Sequence, residues 1–270
     1  MHIFPSELLL KHIVSIALDA GSAIKEIYAD AANVVMTKAD NSPLTQADLS
    51  ADHIISAGLT ALDSGFPILS EESAQIDFNE RKIWQRYWLV DPLDGTKEFI
   101  NRNGEFTVNI ALIENGQPIL GVVYAPVLEV CYFAARGVGA FIRRGIDDVQ
   151  AIHVRTRETG ATLNVVASRS HADERTTALL KKLGNHQCIS MGSSLKLCLV
   201  AEGVAHLYPR LGPTMEWDTA AAHAVVNMAG GMVCNANGDE LSYNKADLHN
   251  PEFFVLSAGD KKLQLLLNLA

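Results

Sequence analysis

The stretch WLVDPLDGTKEF, from Trp88 to Phe99, decides how the rest of the chain is interpreted. The residues Tyr87 to Val90 form an apolar run of high β-propensity, which predicts a short buried strand. Pro92 cannot donate a hydrogen bond to a neighbouring strand. The pattern therefore predicts that the strand ends at Asp91.

The turn after this strand brings two acids close together. Gly95 permits a sharp turn and Pro92 fixes its own φ, so the carboxylates of Asp91 and Asp94 are expected to converge and not to alternate across a sheet. Two carboxylates at such a distance repel each other unless a cation, typically a hard divalent ion, lies between them. A turn whose aspartates only accept hydrogen bonds from nearby backbone N–H groups is the alternative interpretation.

Composition limits the classes of partner. The 270 residues could form one large domain or two halves that close over a cleft. The chain has 22 Lys and Arg against 31 Asp and Glu, a net charge of −9, which argues against a nucleic-acid polymer as partner. A small anionic ligand stays compatible with this balance, because acids gathered around metal ions are neutralised by them.

Several features predict a cytoplasmic protein. No signal-peptide layout and no apolar run of the ~18 residues needed to span a membrane is present. The cysteines show no C-x-x-C spacing and are expected to be reduced, buried thiols; they are Cys131, Cys188, Cys198 and Cys234. The sequence leaves open the oligomeric state and a peripheral attachment to the cytoplasmic face of the inner membrane.

The first half of the chain predicts an α+β subdomain, residues 1–157. A helix capped by Ser6 is expected to run to about Tyr28, and a second helix to follow Thr45, which with Asp48 matches a capping box. The remaining strands form a mostly antiparallel sheet with an Asn-Gly hairpin; they are expected at Val34–Thr37, Phe66–Leu69, Thr107–Ile113, Ile119–Tyr124, Val130–Ala134 and Ala140–Arg143.

The second half, residues 158–270, alternates strands with helices and predicts an α/β subdomain beside the first. Helices are expected at Asp173–Leu183, from Gly192 to Val200 and at Thr219–Met228, and strands at Leu163–Ser168, Cys188–Ser190, Val204–Tyr208, Met232–Cys234 and Phe253–Ser257. Asp218 stands just before the alanine-rich helix, where it could be an N-cap and still offer an oxygen to a cation.

Four acids thus stand at the ends of predicted elements: Glu71, Asp91, Asp94 and Asp218. Oxygen ligands of this kind suit Mg²⁺, and two or three such ions would serve the hydrolysis of a phosphate ester by a metal-activated water. Gly95 and Thr96 would supply backbone N–H groups to the phosphate, and Thr96 a hydroxyl that orients the water.

Three segments resemble the metal-site motifs of the inositol monophosphatase family, which comprises magnesium-dependent, lithium-sensitive phosphatases: SEES (Ser70–Ser73), DPLDGT (Asp91–Thr96) and EWDTAAAHAVVNMAGG (Glu216–Gly231). The likeness extends over nearly the whole chain. DGTKEFI, GSSLKLCLVAEG (Gly192–Gly203) and the YPR of Tyr208–Arg210 are similar to its bacterial 3′(2′),5′-bisphosphate nucleotidase branch, since an inositol monophosphatase would more typically continue DGT with TNF.

The resemblance implies a layered αβαβα sandwich and a site made of named residues. It implies that magnesium is held by Glu71, Asp91, Asp94, Asp218 and the carbonyl of Leu93, with Asp48 supporting a third ion or the water. Glu71 and Thr96 would polarise the water. The substrate would contact Leu93, Asp94, Gly95, Thr96 and Asp218, and its nucleotide and second phosphate would be held by His171, Ser193, Lys196 and Arg210.

In that branch the substrate is adenosine 3′,5′-bisphosphate, a by-product of sulfate assimilation, and the loss of its 3′-phosphate leaves AMP. Two alternatives stay open: an inositol or sugar monophosphatase of the same family, and a non-catalytic regulator that binds nucleotide or metal. Simpler roles also stay open for single residues, namely a capping box for Asp48, a solvated lysine for Lys196, a surface charge for Arg210 and a helix cap for His171.

Overall fold

The computed structural model describes residues 5–30, 43–158, 160–167 and 174–269. Its strands form two sheets. The first has the order β1-β2-β3-β4-β5-β6-β7, with strands β1 (Ile68–Ser70), β2 (Arg86–Asp94), β3 (Thr107–Glu114), β4 (Gln117–Ala125), β5 (Val130–Ala135), β6 (Gly139–Arg144) and β7 (Gln150–Ala151). The second has the order β11-β12-β10-β8-β9, with strands β8 (Leu163–Ala167), β9 (His186–Ser190), β10 (Leu207–Arg210), β11 (Gly231–Asn235) and β12 (Phe253–Ser257).

Helices cover both faces of each sheet. Their bounds are α1 (Glu7–Asp30), α2 (Pro43–Ala61), α3 (Phe78–Arg81), α4 (Thr96–Ile100), α5 (Glu174–Leu183), α6 (Leu195–Ala201), α7 (Glu216–Met228) and α8 (Lys261–Leu266), with a 3₁₀ turn at Glu71–Ser73. Helices α1 and α2 pack on the outer face of the first sheet. Helices α6 and α7 lie between the sheets, and α5 and α8 cover the outer face of the second. These layers confirm the αβαβα sandwich.

Residues 87–90 of strand β2 are all apolar because both faces of the strand are buried there. Trp88 and Val90 face the core under α1 and α2, whereas Tyr87 and Leu89 face the core between the sheets. This alternation with a period of two explains why the run contains no polar residue before Asp91.

Helix α7 lies unusually close to the first sheet, against β4. An ideal Cβ on Gly121 of β4 would stand 2.1 Å from the carbonyl oxygen of Ala221 and 2.9 Å from the Cβ of Ala224. Only glycine on the strand and alanine on the helix permit this approach. The alanine-rich composition of α7 therefore serves contact between layers, and it holds the first turn of the helix against the end of β2.

Several sequence predictions differ from the structure. Strand β2 does not end at Asp91 but continues through Pro92, because a bulge places the proline where no ladder bond is needed. Helix α2 begins at Pro43, so Thr45 and Asp48 lie inside the helix and the predicted capping box is wrong. Strand β10 begins at Leu207, three residues later than predicted.

Other predictions concern residues that the structure does not describe and the state of the cysteines. The strand predicted at Val34–Thr37 lies outside the described residues, as do the predicted end of β8 at Ser168 and the predicted start of α5 at Asp173. All four cysteines are free, but Cys188 is exposed on the edge strand β9 and not buried as predicted. Within the described ranges, no helix is long and apolar enough to cross a membrane.

Candidate active site

A bulge in β2 points Asp91 and Asp94 to the same side of the sheet. Asp91 pairs with Asn109 and Asp94 with Thr107, so β2 carries one residue more than β3 between these pairs. Residues three apart on a regular strand face opposite sides, and the extra residue reverses the alternation. Leu93 accordingly joins the core under α1 and α2. Both carboxylates are left to face the layer of α6 and α7.

Asp218 joins them from the first turn of α7. Oxygen atoms of Asp91, Asp94 and Asp218 all lie within 4.8 Å of one another. Because α7 begins at Glu216, Asp218 is the third helical residue and not the N-cap that the sequence predicted. Its Oδ2 accepts a hydrogen bond of 2.9 Å from the N–H of Met215, which fixes the side chain.

A loop before α6 holds the carboxylate of Asp94. Its Oδ2 accepts hydrogen bonds from Ser193 Oγ at 2.5 Å, from Ser194 N at 2.7 Å and from Ser194 Oγ at 2.8 Å. Ser193 adopts a left-handed backbone conformation with φ of 51°, which costs a non-glycine residue energy. Ser193 also contacts Thr107 Oγ1 at 2.5 Å.

Glu71 and Asp48 form a second group of acids beside the first. Helix α2 carries Asp48, whose Oδ1 is buried and accepts no hydrogen bond from any described residue. Glu71 lies in the 3₁₀ turn, where the residue is partly open to solvent, and it is not one of the three closest acids. Asp52, one turn after Asp48, accepts a hydrogen bond of 2.5 Å from Ser70 and so ties α2 to the end of β1.

Mutual repulsion raises the pKa values of these acids. Burial, followed by repulsion from Asp94 and Glu71, raises the pKa of Asp91 well above its ordinary value. Burial and then repulsion from Asp94 raise the pKa of Asp218 to about 7. Burial, then Glu72 and Glu71, raises the pKa of Asp48 to about 8. Burial and then Asp94 also raise the pKa of Glu71. The fold thus gathers negative charge that it does not itself neutralise.

The acids fit a hard divalent cation. All the donors are oxygen atoms, and Asp91, which is only 1% exposed, has an Oδ2 to which no described residue donates a hydrogen bond. A buried acceptor without a partner is costly, and a bound ion would satisfy it. This donor set suits a hard divalent cation and has none of the cysteine and histidine ligands typical of a zinc site.

A cleft of about 530 Å³ opens beside the acids, and its lining residues include Asp94, Asp218, Lys196 and Arg210. Burial lowers the pKa of Lys196, an effect that Asp94 opposes. Arg210 donates to the carbonyl oxygens of Gly212 at 3.2 Å and Pro213 at 2.9 Å, which fixes the direction of its guanidinium. The volume is ordinary for a small-molecule site.

The remaining predicted site residues lie outside the group of buried acids. Gly95, with φ of 106°, stands immediately before the short helix α4, and Thr96 is its exposed first residue. His171 lies outside the described residues. His223 of α7 is fully buried, with a hydrogen bond of 2.8 Å between its Nδ1 and the hydroxyl of Tyr243.

Sequence reasoning missed several residues around the cluster. Asn109 and Ser194 lie directly behind the acids and bond to each other. Tyr208 lies on the cleft wall, with its ring 5.9 Å below the Lys196 ammonium. A signal existed for Asn109, because a lone amide interrupts the otherwise apolar strand TVNIALI. None existed for Ser194, which fits an ordinary helix start.

The chain is similar in sequence to proteins of known family. The inositol monophosphatase family matches residues 6–266 of the chain. The 3′(2′),5′-bisphosphate nucleotidase CysQ of Escherichia coli K12 is 51% identical over 249 residues, which cover 92% of this chain and 99% of that protein. The CysQ of Haemophilus influenzae is 37% identical over 253 residues, which cover 93% of each protein.

Solved structures give the same result. The crystal structure of CysQ from Bacteroides thetaiotaomicron, a bacterial member of the inositol monophosphatase family, is similar with a TM-score of 0.85 at 44% identity, covering 93% of this chain and 97% of that one. An inositol monophosphatase from Zymomonas mobilis has a TM-score of 0.78 at 24% identity, with 97% of each chain covered. The second likeness shows the fold alone.

Proposed function

The chain belongs to the inositol monophosphatase family, and on that premise we propose that it is a 3′(2′),5′-bisphosphate nucleotidase. It hydrolyses the 3′-phosphate of adenosine 3′,5′-bisphosphate to give AMP and phosphate. The family match confirms the resemblance drawn from the three acidic motifs. The CysQ relatives, at 51% identity, support the choice of the nucleotidase branch.

One observation carries the proposal: the acids and two cationic side chains line a single cleft. Asp94 and Asp218 stand on one wall, and Lys196 and Arg210 line the same space. A substrate with one phosphate needs only the metal-binding end. A substrate with two phosphates needs cationic contacts beyond it, and the fork of an arginine held by backbone carbonyls suits a phosphate.

We propose that the acidic end holds two or three Mg²⁺ ions. The ligands would be Glu71, Asp91, Asp94, Asp218 and the carbonyl of Leu93, with Asp48 supporting a third ion. When bound, the ions would polarise the phosphoryl oxygens and lower the pKa of the attacking water. The raised pKa values of Asp91 and Asp218 support this assignment, since a cation relieves the repulsion that causes them.

The chain's own groups would orient the reactants. The carboxylate of Glu71 would polarise the attacking water and accept its proton, and the hydroxyl of Thr96 would orient that water toward phosphorus. Backbone N–H groups of Gly95 and Thr96 would hold the phosphoryl oxygens. Gly95 cannot be replaced easily there, because an added Cβ would stand 3.1 Å from the Cβ of Phe106 and the φ of 106° disfavours any side chain.

The rest of the nucleotide would occupy the remainder of the cleft. Lys196 and Arg210 would bind the second phosphate, and His171 and Ser193 would contact the nucleotide. Ser193 donates its hydroxyl hydrogen to Asp94 and contacts Thr107, so it can offer the substrate only its remaining lone pair. A preference for the bisphosphate therefore rests mainly on Lys196 and Arg210.

The proposal also covers the division of the chain into subdomains and its cellular compartment. We divide the chain at residues 157 and 158, so that each half carries one sheet, with most of the proposed ligands on the first and Asp218 on the second. Four free cysteines support a reducing compartment, and we place the protein in the cytoplasm.

A phosphate-release assay tests the function. At equal Mg²⁺, the rate with adenosine 3′,5′-bisphosphate should far exceed the rate with inositol 1-phosphate, and chromatography should identify the product as AMP and not adenosine 3′-phosphate. A stronger preference for inositol phosphate would make the protein an inositol monophosphatase. Binding of the bisphosphate without any release of phosphate would indicate a regulator.

A further inference from the structure

Two buried polar side chains stand directly behind the acidic cluster. Asn109 on β3 is 1% exposed and Ser194, just before α6, is 2% exposed. Asn109 lies opposite Asp91 in the β2–β3 register, and its Nδ2 donates a hydrogen bond of 2.9 Å to Ser194 Oγ. Polar groups are costly to bury, so a pair in this position requires a reason beyond packing.

Helix capping does not supply that reason. Ser194 occupies the N-cap position of α6, where a serine hydroxyl usually accepts a hydrogen bond from the first turn. In this structure the hydroxyl makes no such bond, and the backbone has φ of −63° and ψ of −13°, within the helical range. The hydroxyl of Ser194 is turned toward the acids instead.

The hydroxyl of Ser194 connects two of the acidic segments. It lies 2.8 Å from Asp94 Oδ2 and 2.7 Å from the backbone carbonyl oxygen of Asp218. A hydroxyl has one hydrogen to donate, and the Asn109 amide occupies one of its lone pairs. The hydrogen is therefore directed to Asp94 and to the Asp218 carbonyl, and one small group joins the bulge of β2 to the first turn of α7.

These contacts determine which oxygen of Asp94 faces the cluster. With Ser193 Oγ, Ser194 N and Ser194 Oγ all bonded to Oδ2, that oxygen has no further capacity to act as an acceptor for an ion. Oδ1 is left for the cation. Partners of this kind commonly fix the orientation of a ligand and raise the affinity for the metal.

We propose that Ser194, oriented by Asn109, is a positioning residue for the divalent-cation site: it fixes the carboxylate of Asp94 and the separation between Asp94 and Asp218. The role in catalysis rests on the proposed function, because it acts through the cation that hydrolysis needs. The effect on cation binding does not require turnover and can be measured separately.

Calorimetric titration of the protein with MgCl₂ alone tests the proposal. Ser194→Ala should bind Mg²⁺ roughly 10- to 100-fold more weakly than the wild type. The matched control is Ser257→Ala, which also removes the hydroxyl of a buried serine. That hydroxyl lies 3.0 Å from Thr156 Oγ1 and contacts none of the acids. The control should bind Mg²⁺ as the wild type does. An unchanged affinity in Ser194→Ala would overturn the proposal.

A second variant separates positioning from folding. Asn109→Ala keeps the hydroxyl of Ser194 but removes the group that directs it, and it should weaken Mg²⁺ binding about 2- to 10-fold, the equivalent of one hydrogen bond. Since Asn109 acts through Ser194, the double variant should bind no more weakly than Ser194→Ala. Losses that simply add would show that the two residues act independently and would refute the relation between them.

Kinetics add a readout that a merely structural role would not change. In Ser194→Ala, the Mg²⁺ concentration for half-maximal rate should rise by the same factor as the dissociation constant, while the rate at saturating Mg²⁺ recovers most of the wild-type value. A loss that saturating Mg²⁺ does not restore would contradict positioning. If the wild type releases no phosphate but Ser194→Ala still weakens Mg²⁺ binding, the proposed function fails and the positioning role stands.

Discussion

Replacing Asp91 with asparagine should stabilise the metal-free protein at the cost of its activity. Asp91 is buried, and its carboxylate is surrounded by Glu71, Asp94, Asp218 and Asp48, which together with burial raise its pKa. The asparagine oxygen can still accept the hydrogen bond of 3.1 Å from Leu93 N. Its amide would add no negative charge beside Glu71 and Asp94.

The pKa of Asp218 gives the magnitude. It rises from 3.8 to about 7, and each pKa unit corresponds to about 1.4 kcal/mol, so ionising a carboxyl in this cluster costs the fold about 4 kcal/mol. The acids share this cost because they can be protonated in turn. We therefore expect Asp91→Asn to raise the free energy of unfolding by about 2 to 4 kcal/mol at pH 8, or the melting temperature by about 4 to 10 °C.

The sign depends on pH. A folded state whose acids have raised pKa values binds more protons than the unfolded state between pH 4 and about pH 8, so the metal-free wild type loses stability as the pH rises through this window. Thermal unfolding in EDTA should therefore show a large difference between Asp91→Asn and the wild type at pH 8 and a small one at pH 5. Saturating Mg²⁺ should reverse the order at pH 8.

A matched control separates the cluster from a general effect of the substitution. Asp260 is also buried, but it caps α8 through a hydrogen bond of 3.0 Å from Leu263 N, far from the cluster in the sequence. Asparagine caps about as well as aspartate, and Asp260 is not among the acids whose repulsion raises the pKa of Asp91, so Asp260→Asn should not show the stabilisation expected of Asp91→Asn. If Asp91→Asn melts at or below the wild-type temperature in EDTA at pH 8, the repulsion is misjudged. If it keeps near wild-type turnover, where we expect a loss of at least roughly 100-fold, the site is misassigned.

Further predictions address the cleft, the ions and the packing. Lys196→Gln should raise the KM for adenosine 3′,5′-bisphosphate roughly 10- to 100-fold, because a charged hydrogen bond is lost; an unchanged KM would exclude contact with the second phosphate. Millimolar lithium and excess calcium should inhibit phosphate release in the presence of Mg²⁺, because they can occupy oxygen sites with the wrong charge or coordination; unaffected rates would count against the magnesium assignment. Gly121→Ala should lower the free energy of unfolding by about 1 to 3 kcal/mol, since its Cβ would stand 2.1 Å from a backbone oxygen of α7; an unchanged melting temperature would show that α7 can move.

Much of the fold could be predicted from the sequence because it depends on local interactions between neighbouring residues. The helix after Ser6 begins where predicted, with a hydrogen bond of 3.1 Å from Leu9 N to Ser6 Oγ. The Asn115-Gly116 turn has both residues at positive φ, as a two-residue hairpin requires. Such features depend on neighbours in the sequence. The strand end predicted at Asp91 was wrong because the pairing of β2 with β3, and not the local sequence, decides where β2 ends.

The sequence by itself predicted which residues would carry the chemistry: acids at the ends of apolar runs, in an order that resembles one phosphatase family. Only the tertiary structure decided how these acids meet. A single extra residue in β2 turns Asp94 to the side of Asp91, and the close packing of α7 on Gly121 brings the first turn of that helix, with Asp218, to the same place. Neither the pairing of β2 with β3 nor the depth of a helix against a sheet is encoded in local propensity, because both depend on residues that are not neighbours in the sequence: Asp91 pairs with Asn109, and Gly121 packs against Ala221. For the same reason, the serine that appears to be an ordinary helix cap in the sequence is bonded to the acids in the folded protein.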